Sequence, residues 1–269
     1  MESIINPIYF DKAKIAELKA TFNSNTPCKH IIMDNFLNEE YANLLYENFP
    51  KMEDMHVKRK SINENKKEEY HFEKFHPVFN QVREALRSNE LIEVWHEISG
   101  LSNLESTLDG YGTGIHQGLN GSFVDVHLDY NMHTEKNLHR RLNILIYLNK
   151  HWKEEYGGHL ELWDERVTKM EKAVLPAFNR AVIFRTDELS QHGVRKVTCP
   201  ENESRKSYYG FYFTPIGEDF KYRDSKFTAR PEEGIAKGMV VETKEFLKVN
   251  IKRALKAVGI SKLDFGDKN

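Results

Sequence analysis

Val126-His127-Leu128-Asp129 is the stretch on which the fold reading turns. As an extended strand it places His127 and Asp129 on one face and Leu128 on the other, because side chains alternate. An imidazole and a carboxylate then stand side by side, as two ligands of one metal ion do. A third ligand must come from elsewhere, and His192 is the candidate. Two histidines and one carboxylate on one face of an ion, with the other face open, suit non-haem Fe(II) that must also bind a cosubstrate and O2.

Outward from this stretch the punctuation is that of a β protein. Asn120-Gly121 is a hairpin signal just before it. Leu142 to Asn149 is a nearly continuous apolar run, His159 to Trp163 alternates, and Arg180 to Phe184 and Lys206 to Phe213 read as further strands. Short strands at regular spacing with Gly and Pro turns point to a sandwich or jelly roll, not to βαβ units. Before residue 104 the pattern is mainly helical. Asp11 caps a helix over 10–24, Asn38 caps a second with Leu44, Leu45 and Tyr46 inward, and Pro77 opens a third. A fourth holds Leu91, Val94, Trp95 and Ile98 and stops at Gly100. His30 to Met33 is a short strand between them. Residues 51–74 are dense in Lys, Arg and Glu and read either as a solvated loop or as a lid over a site. Residues 222–240 read as loop, and Leu247, Ile251, Leu255 and Val258 share a face of a last helix over 243–258, ended by Gly259.

Bulk properties exclude several classes. The 269 residues carry 39% hydrophobic and 30% charged residues and a net charge of −2, an ordinary soluble profile that points to neither nucleic acid nor an anionic surface. No apolar run reaches the roughly 18 residues of a membrane span, and the first residues lack a signal-peptide pattern. Cys28 and Cys199 form neither a disulfide framework nor a zinc spacing, so a cytoplasmic location is expected. Oligomeric state is not legible.

A His-x-Asp triplet by itself is weak, with roughly 0.7 occurrences expected by chance at this composition. His133-Thr134-Glu135 and His159-Leu160-Glu161 are decoys, of which the second, in a plausible strand, competes. The residues C-terminal to the triplet give it weight. His192 comes directly after an apolar strand and before Gly193, and Arg205-Lys206-Ser207 heads the aromatic strand. Arg205 and Ser207 share a face, and a guanidinium fork with a hydroxyl beside it would seat a carboxylate.

The ordered set His127-x-Asp129, the strand from Arg141 to Asn149, Gly157-Gly158-x-Leu160, Asn179-Arg180-x-x-Ile183-Phe184, His192-Gly193-Val194 and Arg205-x-Ser207 resembles the iron(II)/2-oxoglutarate-dependent dioxygenases, within them the prolyl 4-hydroxylase-like branch. The resemblance covers about residues 105–215. It implies a mainly β fold with α: a double-stranded β-helix, or jelly-roll, core over 104–216, an N-terminal region over 1–103 whose helices pack outside it, and a loop-and-helix extension over 217–269, all one structural unit. It implies Fe(II) on His127, Asp129 and His192, and 2-oxoglutarate as cosubstrate, its distal carboxylate on Arg205, with Tyr147 and Ser207 beside it. Ascorbate is the expected reductant. The implied reaction hydroxylates an unactivated C–H bond with release of succinate and CO2.

For Tyr147 and Ser207, plain core packing and a strand-neighbour role stay open, and His116 or Gln117 could face the cosubstrate. Trp163 and the aromatic strand are either core or pocket wall. The substrate is open among a prolyl residue, an amino acid, a saccharide and another metabolite. Two other readings compete: a cupin-like metal enzyme without 2-oxoglutarate, and a non-catalytic metal-binding jelly-roll module.

Overall fold

Residues 3–109, 112–133 and 135–257 are described by the computed structural model. In chain order the elements are α1 (Lys12–Ser24), β1 (His30–Met33), α2 (Glu39–Glu47), β2 (Val57–Lys60), β3 (Glu64–Glu69), α3 (Val78–Leu86) and α4 (Asn89–Ser99). After these come β4 (Thr113–Gly118), β5 (Phe123–Leu128), β6 (Leu138–Tyr147), β7 (Leu160–Trp163), β8 (Met170–Val174), β9 (Arg180–Arg185), β10 (His192–Val194), β11 (Arg205–Pro215), β12 (Lys226–Thr228) and α5 (Gly234–Ala257). The helix starts match their caps. Asp11 accepts from Lys14 N, Asn38 from Glu40 N and Ser88 from Leu91 N. Gly100, at φ 71°, ends α4 in the left-handed conformation that favours glycine.

The strands form one antiparallel sheet in the order β1-β9-β6-β11-β4-β3-β5-β10-β7-β8, with β2 on β3 and β12 on β5. It curls strongly into a half-barrel of jelly-roll form. Strand alternation divides its side chains. On β6, Leu142, Ile144 and Ile146 join the apolar core formed with the helices, while Asn143, Leu145 and Tyr147 have the opposite parity and face the inside. On β11, Tyr208 and Tyr212 point to the helices, and their hydroxyls donate to Phe79 O and Leu86 O. Each buried ring thereby keeps its polar tip satisfied. The inner face holds a smaller cluster, Leu160, Leu162, Val174, Val182 and Phe184 with Tyr147.

Several expectations change. The charged stretch over 51–74 is no plain loop. It builds the β2–β3 hairpin, and β3 pairs with both β4 and β5. The Asn120-Gly121 turn therefore joins two strands that β3 holds apart. Residues 222–240 are not all loop, since β12 lies on β5 and α5 begins at Gly234. Val258 and Gly259 lie outside the described residues. On α2, Ala42 and Leu45 are buried while Leu44 and Tyr46 are only half-buried. On β7 all four residues are buried, because Glu161 is taken up by Arg195 and Arg230 at 2.6 and 2.8 Å and so does not need water. Cys28 and Cys199 are both free thiols. No described helix is long and apolar enough to cross a membrane.

Candidate metal centre

His127, near the end of β5, and His192, the first residue of β10, are direct cross-strand partners. Their rings lie 4.3 Å apart between centroids. Asp129 comes one residue after β5. Its two oxygens stand 3.6 Å from His127 Nε2 and 3.5 Å from His192 Nε2. One donor atom from each of the three lies within 4.8 Å of the others, a spacing that a single metal ion can bridge. The backbone sets the tautomers. His127 Nδ1 donates to Asp125 O at 2.9 Å and His192 Nδ1 to Ser190 O at 2.8 Å. Both Nε2 lone pairs are thereby directed at the shared centre. Burial, aided by the nearby His127, pulls His192 down to about 4, so it stays neutral and able to ligate. Burial would raise Asp129, but Arg140 and the two histidines outweigh it and hold the carboxyl well below its usual range.

Two residues that the motif reading missed fix this carboxylate. Arg140 Nη2 and Asn143 Nδ2 donate to Asp129 Oδ2 at 3.0 and 2.8 Å, and Arg140 Nε donates to Asn143 Oδ1 at 2.7 Å. Asn143 was within reach of alternation, as a face-mate of Tyr147. Arg140 was not. On β6 the ladder with β11 slips, so that Leu142 opposes Tyr212 and Arg140 opposes Phe213. That irregularity puts Arg140 beside Asn143, where strict alternation would put Arg141. The decoys are occupied elsewhere. His133 pairs with Asp109 at 3.0 Å, and His159 pairs with Glu154 at 2.7 Å.

Arg205 heads β11, and Ser207 lies between Tyr147 and His116 in the ladders. Arg205 Nε donates to Gly158 O at 2.6 Å, and its guanidinium carbon stands 5.0 Å from the centroid of the Tyr147 ring. This approach needs glycine at 158. Its φ is +68°, and a Cβ there would lie 2.9 Å from Arg205 Cδ. Among the described residues, Arg205 Nη2, Tyr147 OH and Ser207 Oγ are all buried without a well-formed hydrogen bond, the Tyr147 hydroxyl and the Arg205 guanidinium being close only to each other. Three such polar groups in one place are costly unless something pairs with them. A carboxylate would accept from all three. Burial pushes the Tyr147 phenol up to about 12, so it is a donor at neutral pH.

His116 stacks on Tyr209 at 4.4 Å and lies 3.6 Å from Glu68. Gln117 Nε2 donates to Ser204 Oγ, and both His116 and Gln117 line the cavity that also holds Arg205 and the metal trio. Trp163 belongs to an outer cluster with Val126 and Val167 and lines no part of the cavity. Of the aromatic strand, Phe211 is in the cavity wall. The cavity has a volume of about 1890 Å³ and is bounded by the metal trio and Arg205, by Arg59 and Lys66 of the hairpin, and by Met239 and Leu247 of α5.

Burial lowers both His116 and His139 to about 4, helped by Lys66 at the first and Arg141 at the second. The folded chain therefore resists protonating them, while the unfolded chain takes up protons below the ordinary value of 6.5. Their neutral forms cost nothing above that value, and stability is lost as pH falls toward about 4. Melting temperature should drop over this window, and His139→Asn should flatten the slope. A variant with the wild-type slope would rule His139 out as a cause.

Residues 113–213 match a family model described as the 2OG-Fe(II) oxygenase superfamily. The chain is 31% identical over 80 residues to the mouse prolyl 3-hydroxylase OGFOD1, a match covering 28% of this chain and 14% of that protein. The match thus spans only a small part of the length of that curated relative. Among solved structures, a Pseudomonas putida prolyl-4-hydroxylase superposes with a TM-score of 0.53 at 16% identity, covering 73% of this chain and 98% of the other. A Trichoplax adhaerens prolyl hydroxylase in complex with a hypoxia inducible factor peptide fragment gives 0.51 at 17%, covering 76% and 93%. HygX from Streptomyces hygroscopicus, with nickel, 2-oxoglutarate and hygromycin B, gives 0.50 at 11%, covering 74% and 87%. Over residues 113–213 the chain is thus similar to the 2OG-Fe(II) oxygenase superfamily, and its fold is like that of the prolyl hydroxylase structures.

Proposed function

We propose that this chain is an Fe(II)- and 2-oxoglutarate-dependent hydroxylase, with His127, Asp129 and His192 as metal ligands and Arg205, Tyr147 and Ser207 as the seat of the cosubstrate's distal carboxylate. The observation that carries the reading is the group of buried donors without a well-formed hydrogen bond, Arg205 Nη2, Tyr147 OH and Ser207 Oγ, around the same cavity as the histidine–carboxylate trio. A dicarboxylate held there at one end could reach the metal with the other. When bound, iron and 2-oxoglutarate together supply the oxidising power that turns a substrate C–H into C–OH as succinate and CO2 leave. The chain's own part is orientation. Arg140 and Asn143 fix Oδ2 of Asp129, and the two backbone carbonyls fix the imidazoles. Phe184 and Phe227 lie against the His192 and His127 rings at 4.8 and 5.2 Å and limit water there.

We infer a prolyl residue within a polypeptide as the substrate. A cavity of about 1890 Å³ exceeds the roughly 300–1,000 Å³ of a small-metabolite pocket. The match to a prolyl 3-hydroxylase and the structural likeness to prolyl 4-hydroxylases point the same way. Ascorbate as reductant, a cytoplasmic location and the joint action of residues 1–103, 104–216 and 217–269 as one unit belong to the same proposal. The test is anaerobic addition of Fe(II) and 2-oxoglutarate, read by the weak charge-transfer band of the chelate. It is paired with a succinate-release screen over prolyl peptides, free amino acids and sugars, with mass spectrometry for one added oxygen. Folded, iron-loaded protein without the band would end the reading. Succinate release on sugars but not on peptides would end the prolyl part alone.

Tyr147→Phe gives a finer check. Its hydroxyl makes no well-formed hydrogen bond in the free protein beyond its closeness to Arg205, so its removal should leave the melting temperature within a degree or two. One lost hydrogen bond of about 1–1.5 kcal/mol should weaken 2-oxoglutarate roughly 5- to 12-fold. Titration calorimetry against wild type measures the affinity and thermal denaturation the stability, and unchanged affinity would return Tyr147 to plain core.

A further inference from the structure

Arg230 lies on the outer side of the metal strands and belongs to none of the motifs. Its guanidinium is almost fully buried, at 6% exposure. Nε donates to Glu161 Oε2 on β7 at 2.8 Å and Nη1 to Asp125 Oδ1 on β5 at 3.2 Å. Nη2 donates to two backbone carbonyls, Val124 O on β5 at 3.0 Å and Val194 O on β10 at 3.1 Å. One side chain thus ties together three strands, including both that carry the histidines.

The place it occupies is a β-bulge. In the β5–β10 ladder His127 opposes His192 and Val124 opposes Val194. Asp125 and Val126 therefore share a single opposite residue, Gly193. Without the extra residue, Val124 and His127, three apart, would point to opposite faces. With it, both line the cavity. A bulge leaves backbone groups unpaired and re-aims a neighbouring side chain. Here Nη2 of Arg230 satisfies one carbonyl on each side of it. Gly193 supplies the room. A Cβ on it would stand 3.0 Å from Arg230 Nη2, 3.0 Å from Val124 O and 3.2 Å from Val126 Cα.

We propose that Arg230 is a positioning residue of the metal centre: by plugging the Asp125–Val126 bulge opposite Gly193, it holds the register that aims His127 at Asp129 and His192. This rests on the metal reading of that trio. It also couples the segment leading into α5 to the metal, since Lys237 of that helix reaches the same Asp125 at 2.8 Å.

The experiment uses the full chain and Co(II) as a spectroscopic probe, with affinity and visible spectrum recorded for wild type, Arg230→Lys, Arg230→Ala and Arg195→Ala. Arg195 is the control. It pairs with the same Glu161 at 2.6 Å, is half-exposed and touches no bulge carbonyl. Folding is checked by circular dichroism. Arg230→Lys keeps the charge between Asp125 and Glu161 but loses the fork, so it remains informative if the alanine variant fails to fold. The expected result is Co(II) affinity lowered about 10- to 100-fold, the usual range for a lost supporting contact, with an altered ligand-field spectrum in Arg230→Lys and neither change in Arg195→Ala. Arg230→Lys with wild-type affinity and spectrum overturns the proposal. So does an equal effect in Arg195→Ala, which would mark a general loss of charge balance. Wild-type protein that binds no Co(II) overturns the metal reading itself, a different outcome from either.

Discussion

His192→Ala should lose iron and all iron-dependent consumption of 2-oxoglutarate, a fall of about 10³-fold or more, while the chain stays folded. The ring is 7% exposed, and its Nε2 is one of only three donors in the trio. Removing it leaves a two-donor site, and a bound metal ion contributes several kcal/mol to such reactions, each 1.36 kcal/mol being tenfold. The fold has less to lose. One face of the ring borders the cavity, and among the described residues the ring is held by a hydrogen bond from Nδ1 to Ser190 O and by its approach to Asp129. The measurement is metal content by mass spectrometry together with uncoupled succinate formation, which needs no knowledge of the substrate. His159→Ala is the matched control, since the His159 ring pairs with the exposed Glu154 and stands apart from the metal trio. If His192→Ala kept its iron, or if His159→Ala lost it, the trio would be the wrong site.

How much of this was legible in the sequence depended on whether a strand kept its parity. On β11 it did. Arg205, Ser207 and Tyr209 share one face, and Tyr208 and Tyr212 the other, so the proposed carboxylate seat and the helix-packing rings could be sorted by counting in twos. His127 and Asp129 could be placed together for the same reason. Two bulges broke the count elsewhere. The slip between Leu142 and Arg140 brought in an arginine that alternation assigned to the wrong face. The bulge at Asp125–Val126 hid the partnership of Arg230, a residue over 100 positions away. The β2–β3 hairpin was hidden for another cause. Its strands are Val57-Lys58-Arg59-Lys60 and Glu64 to Glu69, which carry almost no apolar alternation. Their pairing comes from β4 and β5, whose free edges β3 completes, and from contacts such as Tyr209 OH to Glu68 at 2.8 Å. Tertiary context of this kind overrides local propensity.

Arg205→Ala should abolish useful 2-oxoglutarate binding without weakening the free protein in proportion. A charge pair formed by a buried guanidinium and a carboxylate costs about 2–5 kcal/mol when one partner is truncated, so the dissociation constant should rise by roughly 30-fold to several thousand-fold. The free protein has a different balance. Arg205 is 7% exposed with Nη2 lacking a well-formed hydrogen bond, and burial lowers its pKa, which means the cation is held against its preference for water. Replacing it removes that desolvation penalty and sacrifices the hydrogen bond from Nε to Gly158 O and the contact with Tyr147. The apo melting temperature should therefore stay level or rise. In wild type, 2-oxoglutarate at about 100 times its dissociation constant should add roughly 2.7 kcal/mol, and in the variant that increment should vanish. Arg205→Lys separates charge from geometry, because an ammonium keeps the charge and loses the planar fork. It should recover only part of the affinity. A metal enzyme of the same fold that used no 2-oxo acid would show none of this, since it would have no use for a dry guanidinium facing its cavity. Equal affinity in wild type and Arg205→Ala would decide for that enzyme, and unchanged metal binding in the same samples would show that only the cosubstrate assignment had failed.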